Sequence, residues 1–158
     1  MYPDKMKYPD SMLVRHLEAQ VDRILDYDFG SIVSDNEYRM IGKTKKIIEK
    51  IYNSIVKNGI ESRESVVFVG SKVIQDLYVE SIIKLIDSSI IPESEKDTYS
   101  KSQFKKIVII ASDDARGYKF DNKTSTVFVD GVTRRAYHYI VRPSIVSEDI
   151  AVRGFIAF

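Results

Sequence analysis

Residues 65–71, SVVFVGS, decide the fold. A short apolar run bounded by polar residues predicts a strand that is buried on both of its faces. Ser71 is a good N-cap, and apolar residues recur at helical spacing through 72–87. A second apolar run, KIVIIA, follows at 106–111. This part of the chain therefore predicts a strand–helix–strand crossover with two parallel strands.

Two helices are predicted ahead of this unit. Apolar residues recur at helical spacing over 11–27 and again over about 35–57, where Asn58-Gly59 supplies a helix stop. Residues 1–10 contain Tyr-Pro-Asp twice, and proline holds each copy extended or turned. We therefore expect an extended N-terminal arm over 1–10 and a single α/β domain over 11–158.

The C-terminal part of the chain alternates apolar and polar residues, which is typical of strands. Strand-like runs at 126–129 and 132–141 flank Asp130-Gly131, a pair that favours a two-residue hairpin turn. Another alternating run covers 150–158, whereas residues 88–104 are polar and predict a surface loop. The expected fold is α/β (α+β), with a mixed sheet whose C-terminal strands are antiparallel.

Composition restricts the functional classes. The chain has 158 residues, a net charge of +1 and no cysteine. A dedicated DNA-binding domain usually has a clear basic excess, although a local patch can still bind nucleic acid. Without cysteine there is no disulfide, thiol nucleophile or thiolate metal site. There is no apolar signal region and no apolar run near the ~18 residues of a membrane span. We expect no membrane partner and a cytoplasmic place of assembly.

Motifs for catalysis or cofactor binding are incomplete. Gly42-Lys43-Thr44 has the end of a phosphate-binding loop, but Glu37 stands where the first glycine belongs. These residues also fall in a helical pattern, where consecutive backbone N–H groups cannot point at a phosphate. His16 and His138 have no nucleophile or acid legible around them, and we expect ordinary helix and strand residues there. The sequence thus predicts no catalytic residue and no cofactor.

One stretch resembles a metal site. Residues 105–117, KKIVIIASDDARG, resemble the second motif of Toprim domains, in which a pair of strand-end aspartates holds Mg²⁺ beside a glutamate from an earlier strand. The resemblance implies a site at Asp113 and Asp114, but Val69 stands where the family has its glutamate. The family's aspartates are separated by one residue, whereas these are adjacent and would point to opposite faces of a strand. A polar turn is favoured, and a metal-dependent nucleic-acid enzyme is the alternative.

Cationic residues form two groups. Five lysines on the second predicted helix are typical of the solvated face of an amphipathic helix: Lys43, Lys45, Lys46, Lys50 and Lys57. A nucleic-acid backbone contact is the alternative, which would make the chain a small nucleic-acid-binding accessory protein. The second group combines arginine with tyrosine on the predicted C-terminal strands: Arg134, Arg135, Tyr137, Tyr139, Arg142 and Arg153.

Arginine with tyrosine can stack nucleotide bases, but the same pair is enriched in protein interfaces. Because the net charge is close to zero, we favour a protein interface, with nucleic acid possible. Tyr2 and Tyr8 of the N-terminal arm are the other interface candidates, since tyrosine supplies large contact area with few rotatable bonds.

A family resemblance points the same way. Residues 67–77, VFVGSKVIQDL, are similar in style to the strand–helix units of tailed-bacteriophage capsid subunits. Residues 137–143, YHYIVRP, and 148–158, EDIAVRGFIAF, resemble the C-terminal parts of such subunits and of phage neck or tail-completion proteins. The resemblance implies a non-enzymatic virion or assembly subunit, such as a connector, tail or capsid-associated protein. Its partners would be copies of itself or other virion proteins.

Overall fold

A computed structural model describes residues 10–26, 36–88, 100–120, 123–145 and 150–157. The predicted arm lies outside the described residues, except that Asp10 already belongs to the first helix. Tyr2 and Tyr8 therefore lie outside them as well.

Two helices begin the described chain, as the sequence predicts: α1 (Asp10–Leu25) and α2 (Asn36–Asn58). Val21 of α1 and Ile48 of α2 are buried, which confirms the core faces expected from the apolar spacing. After α2 a 3₁₀ turn at Ile60–Ser62 leads into the sheet.

Four parallel strands form one sheet in the order β2-β1-β3-β4. Their bounds are β1 Ser65–Val69, β2 Ile109–Ala111, β3 Thr126–Thr133 and β4 Ala151–Ala157. In β1, all of Val66–Val69 is buried. An apolar strand of this kind requires cover on both faces of the sheet, and the structure provides two covering layers.

We call the first layer the helical face. It contains α1, α2, α3 (Lys72–Asp87) and α4 (Lys101–Ile107). Their side chains pack against Val67 and Val69 of β1 and Phe128 of β3. Ser71 caps α3 by accepting a hydrogen bond from the backbone N–H of Ile74 at 3.2 Å, as expected.

We call the second layer the opposite face. It contains a 3₁₀ helix at Ser112–Gly117 and the helix α5, and it packs on Val66, Phe68 and Val127. Helix α5 consists of three consecutive segments, of which the middle one is π-helical: Arg134–Ala136, Tyr137–Val141 and Arg142–Ser144.

The sheet is doubly wound. From β1 the chain crosses the helical face through α3 to β2, then crosses the opposite face to β3 and again, through α5, to β4. The direction of winding reverses between β1 and β3. In sheets of this type, ligands bind outside the carboxyl ends of the strands at such a reversal, which directs attention to that edge.

The predicted hairpin at Asp130-Gly131 is wrong. Strand β3 runs through both residues, and a bulge between Asp130 and Val132 shifts its register against β4. A two-residue hairpin turn of the predicted type needs positive φ at both central residues, but of this pair only Gly131 has one, 70°. Asp130 is instead buried, so it belongs to the packed strand and not to a turn.

The predicted antiparallel pairing of the C-terminal strands is also wrong. Residues 134–144, predicted largely as strand, form α5, which carries the chain back so that β4 runs parallel to β3. Thr133 caps this helix by accepting a hydrogen bond from the N–H of Ala136 at 3.1 Å. Ala136, Ile140 and Val141 pack on the sheet, a spacing that is helical and not alternating.

The segment before β2 differs from prediction as well. Residues 101–107 form α4, where a surface loop and the start of a strand were expected, and β2 begins only at Ile109. Ser100 and Gln103 form a capping box, a signal that was present in the sequence. Residues 89–99 of the predicted loop lie outside the described residues.

Candidate functional site

At the carboxyl edge, the backbones that follow β1 and β3 are in direct contact. The N–H of Gly70 donates a hydrogen bond to the carbonyl of Asp130 at 3.1 Å. A Cβ added to Gly70 would lie 1.9 Å from the carbonyl oxygen of Gly131. Only glycine allows this approach, and no side chain fits between the two strand ends.

A cluster of buried polar side chains lies close to this contact, on the helical face. Asp130 is 4% exposed and accepts a hydrogen bond from the Thr44 hydroxyl of α2 at 2.8 Å. The same carboxylate oxygen accepts a hydrogen bond from the hydroxyl of Tyr78 of α3. Burial raises the pKa of Asp130, while the hydrogen bonds from Tyr78 and Thr44 oppose the rise. Burial, followed by the charge of Asp130, raises the pKa of Tyr78 well above its usual value.

The partners of Asp130 indicate its role. Both hydroxyls point at one carboxylate oxygen, so the cluster joins α2 and α3 to the end of β3. Among the described residues, no buried side-chain oxygen or nitrogen is without a hydrogen-bond partner. A buried carboxylate that accepts these two hydrogen bonds links the elements that it contacts.

The opposite face has an open groove at the same edge, which we call the carboxyl-edge groove. Its volume is about 610 Å³, and it is lined by Arg116, Thr133, Arg135, Ala136, Tyr139 and Ile140. Arg116 comes from the 3₁₀ helix after β2 and Arg135 from the first turn of α5, so two separate connections bring guanidinium groups to one groove. Among the residues that the structure describes, no acidic side chain lines it, which makes the groove suitable for an anionic group.

Helix α5 extends this basic character along the surface. Residues 133–145 contain three arginines and no aspartate or glutamate. Its exposed arginines, together with His138 and Tyr139, form what we call the α5 surface: Arg134, Arg135, His138, Tyr139 and Arg142. Tyr139 is 71% exposed, so a large ring stands in solvent among cations. The middle of α5 is π-helical, a geometry that often occurs at functional sites.

The arginine and tyrosine candidates between 134 and 142 thus lie on a helix and not on strands. Arg134, Arg135, Tyr139 and Arg142 share the α5 surface. Tyr137 is half-buried, packs against the core of the opposite face and makes an edge contact with His138 at 5.3 Å between ring centroids. Arg153 belongs to β4.

Asp113 and Asp114 are exposed in the 3₁₀ helix that follows β2, as the polar-turn interpretation expects. Strands β1 and β2 are neighbours, as the Toprim resemblance requires, but Val69 pairs with Ala111 where a carboxylate would be needed. Within the ranges that the structure describes, no cluster of three histidine, cysteine, aspartate or glutamate side chains could hold a metal ion.

The remaining sequence candidates lie on the α-helices. Gly42-Lys43-Thr44 lies inside α2, where Thr44 serves the Asp130 cluster. His16 is exposed on α1, and His138 is exposed on α5 and not on the strand predicted for it. The lysines of α2 lie on its outer side, four exposed and one half-buried: Lys43, Lys45, Lys46, Lys50 and Lys57.

Two parts of the site were missed from the sequence. Arg116 had no distinguishing pattern, since a single arginine in a polar turn is common. Asp130 interrupts the apolar run of β3, and this was the available signal for a buried acid, although its partners Thr44 and Tyr78 are 86 and 52 residues away.

Comparison of the chain with protein-family models, with curated proteins and with solved structures gives no match. Fold and site together define a doubly wound α/β domain with a basic groove at the carboxyl edge of its sheet. None of its described helices has both the length and the apolar character needed to cross a membrane.

Proposed function

We propose that this chain is a non-enzymatic assembly subunit that contacts other protein subunits through the α5 surface and the carboxyl-edge groove. The observation that carries the proposal is Tyr139, which is 71% exposed between Arg135 and Arg142 on a helix without acidic residues. Tyrosine and arginine supply most of the binding energy in many protein interfaces. A solvated helix with no partner would more often expose lysine and glutamate.

The chemistry of the groove suggests what the partner presents. Arg116 and Arg135 can each hold a carboxylate by two parallel hydrogen bonds, and the groove between them has room for one or two acidic side chains. Ile140 and Ala136 supply an apolar wall beside these cations. A protein surface that combines carboxylates with an apolar side chain would match this lining.

The contacts of Asp130 agree with a structural role for this buried acid. The buried carboxylate of Asp130 is bonded to Thr44 and Tyr78, so it holds elements together. The sequence resemblance to tailed-phage capsid and neck proteins suggests that the assembly is a virion, built in the host cytoplasm. In that setting the partners are copies of this chain or other virion proteins.

Light scattering coupled to size exclusion tests the proposal. We expect the purified chain to form oligomers in the micromolar to millimolar range. The double variant Arg135→Ala with Tyr139→Ala should remain monomeric, because it removes a cation and a ring from the α5 surface. Lys50→Ala with Val56→Ala is the matched control, since it removes an exposed cation and a half-exposed apolar side chain from α2.

Two results would overturn the proposal. One is a wild-type chain that stays monomeric over the whole concentration range. The other is an assembly that contains nucleic acid by its absorbance ratio and dissociates on nuclease treatment, which would assign the arginines to phosphate contacts instead.

A further inference from the structure

We propose that the partner of the α5 surface is a second copy of this chain, which receives it in a groove between α1 and α3. This inference rests on the proposed function, because it names the partner of the same surface. It implies that the chain assembles head to tail.

The receiving surface, which we call the α1–α3 groove, has a volume of about 480 Å³. Its apolar part is formed by Leu17 and Val21 of α1 and Ile83 of α3. Leu17 and Ile83 are half-buried, so apolar surface remains in contact with solvent there. An apolar floor of this kind can accept one aromatic ring.

The rim of the groove is acidic. Four carboxylates line it, Glu18, Asp22, Glu80 and Asp87, against two lysines. Each lysine is already paired inside the groove, Lys84 with Asp22 and Lys101 with Glu80. The pKa of Lys84 is raised, first by its hydrogen bond to Asp22 and further by the charges of Asp22, Asp26 and Glu18. Counted over the described lining residues, the rim therefore has a surplus of negative charge.

The two surfaces are complementary in charge and in kind. The α5 surface offers Arg135 and Arg142 on either side of the exposed ring of Tyr139. The α1–α3 groove offers carboxylates around an apolar floor. Tyr139 would contact Leu17 and Ile83, and the arginines would pair with the rim. Although the net charge is only +1, charge is thus unevenly distributed over the surface.

The positions of the two surfaces determine the type of assembly. Helices α1 and α3 belong to the helical face, whereas α5 covers the opposite face of the sheet. A copy docked on one side leaves the surface on its other side open for the next copy. Contacts between unlike surfaces repeat in this way until a ring closes or a filament grows.

A mixing experiment with two blocked variants tests the inference. The first variant, Arg135→Glu with Tyr139→Ala, removes the α5 surface and keeps the groove. The second, Glu18→Lys with Asp87→Lys, reverses two rim charges and keeps the α5 surface. Lysine suits both positions, since Glu18 is exposed within α1 and Asp87 ends α3, where a cation favours the helix. Circular dichroism would verify that each variant is folded.

Light scattering at low ionic strength should show each blocked variant as a monomer. A mixture in equal amounts should form dimers of one copy of each and nothing larger, because one intact surface of each kind is present. We expect each blocked variant alone to self-associate at least about tenfold more weakly than the wild type. Glu49→Lys with Glu61→Lys on α2 and the turn after it is the matched charge control, and it should assemble as the wild type does.

The possible failures are distinct. If the rim variant assembles like the wild type while the α5 variant does not, the α5 surface has another partner site and the head-to-tail inference is wrong. A mixture that stays monomeric also contradicts it. If the α5 variant assembles normally, the proposed function itself fails.

Discussion

The polar residues on the two faces of the sheet differ in burial and in hydrogen bonding. On the helical face, Asp130 is buried and both hydrogen bonds to its carboxylate come from within the fold, from Thr44 and Tyr78. On the opposite face, Arg135 and Tyr139 of α5 extend into solvent beside an open groove. Both polar groups lie near the carboxyl edge of the same sheet, but only the second can reach another molecule.

On the proposed function, this difference separates folding stability from association. A buried polar group must be paired, because leaving it unpaired costs about 1–3 kcal/mol. An exposed side chain usually contributes little to stability. We therefore expect substitutions in the Asp130 cluster to lower the free energy of unfolding, and substitutions on the α5 surface to change association alone.

The largest loss of stability is expected at Gly70, where the backbones that follow β1 and β3 are in contact and both faces of the sheet depend on them. Gly70→Ala would place a Cβ 1.9 Å from the carbonyl oxygen of Gly131, so β1 and β3 would have to separate and both cores would loosen. We expect a loss of about 4 kcal/mol or more in urea unfolding, or no folded protein. Gly117→Ala is the control, since nothing lies within 4 Å of its added Cβ. A Gly70→Ala variant as stable as this control would contradict the close contact.

A smaller loss is expected from the buried cluster alone. Asp130→Ala leaves the hydroxyls of Thr44 and Tyr78 without their acceptor and should cost about 3 kcal/mol in the free energy of unfolding. Tyr78→Phe removes one donor and should cost about 1–2 kcal/mol. Asp114→Ala on the opposite face, where the carboxylate is exposed, should change stability by less than about 0.5 kcal/mol. Equal losses of stability from the substitutions at Asp130 and Asp114 would contradict the expected difference between the two faces.

The pH dependence of stability sharpens the same point. The pKa of Asp130 is raised in the folded chain, so the folded state holds this proton more tightly than the unfolded state does. The stability that protonated Asp130 contributes is fully present below the unfolded pKa and is lost as the pH rises through the folded pKa. Relative to Asp130→Asn, the wild type should therefore gain stability as the pH falls from neutral towards 4. Urea unfolding of both proteins over this range measures the difference, and a constant difference would be contrary to the raised pKa.

The smallest effect on folding is expected from the α5 surface. Arg135→Ala and Tyr139→Ala should each leave the free energy of unfolding within about 0.5 kcal/mol of the wild type. Unfolding should be measured at concentrations at which the variants and the wild type are monomeric, since assembly stabilises the folded state by mass action. A loss above about 2 kcal/mol for either variant would show that these side chains belong to the fold and not to an interface.

Much of the local structure was predictable. The apolar spacing located α1, α2 and α3, Ser71 was identified as a cap, and residues 65–69 were identified as a buried strand. The candidate arginines and tyrosines at 134–142 were expected on strands but lie on α5, where Tyr137 packs against the core and the others are exposed. The alternation of residue types over 132–141 imitated a strand, while the packing of Ala136, Ile140 and Val141 follows a helix.

The sequence by itself determined the features that depend on neighbouring residues. These are the helical periods, the caps, the buried strand β1 and the concentration of arginine without acid at 133–145. Tertiary structure decided the rest. Asp130-Gly131 has the local signature of a turn, but burial of Asp130 against Thr44 and Tyr78 keeps it in a strand. Those partners lie 86 and 52 residues away, and no local pattern encodes such a meeting. The parallel pairing of β3 with β4, and with it the placing of α5 on the opposite face, follows from the same long-range packing.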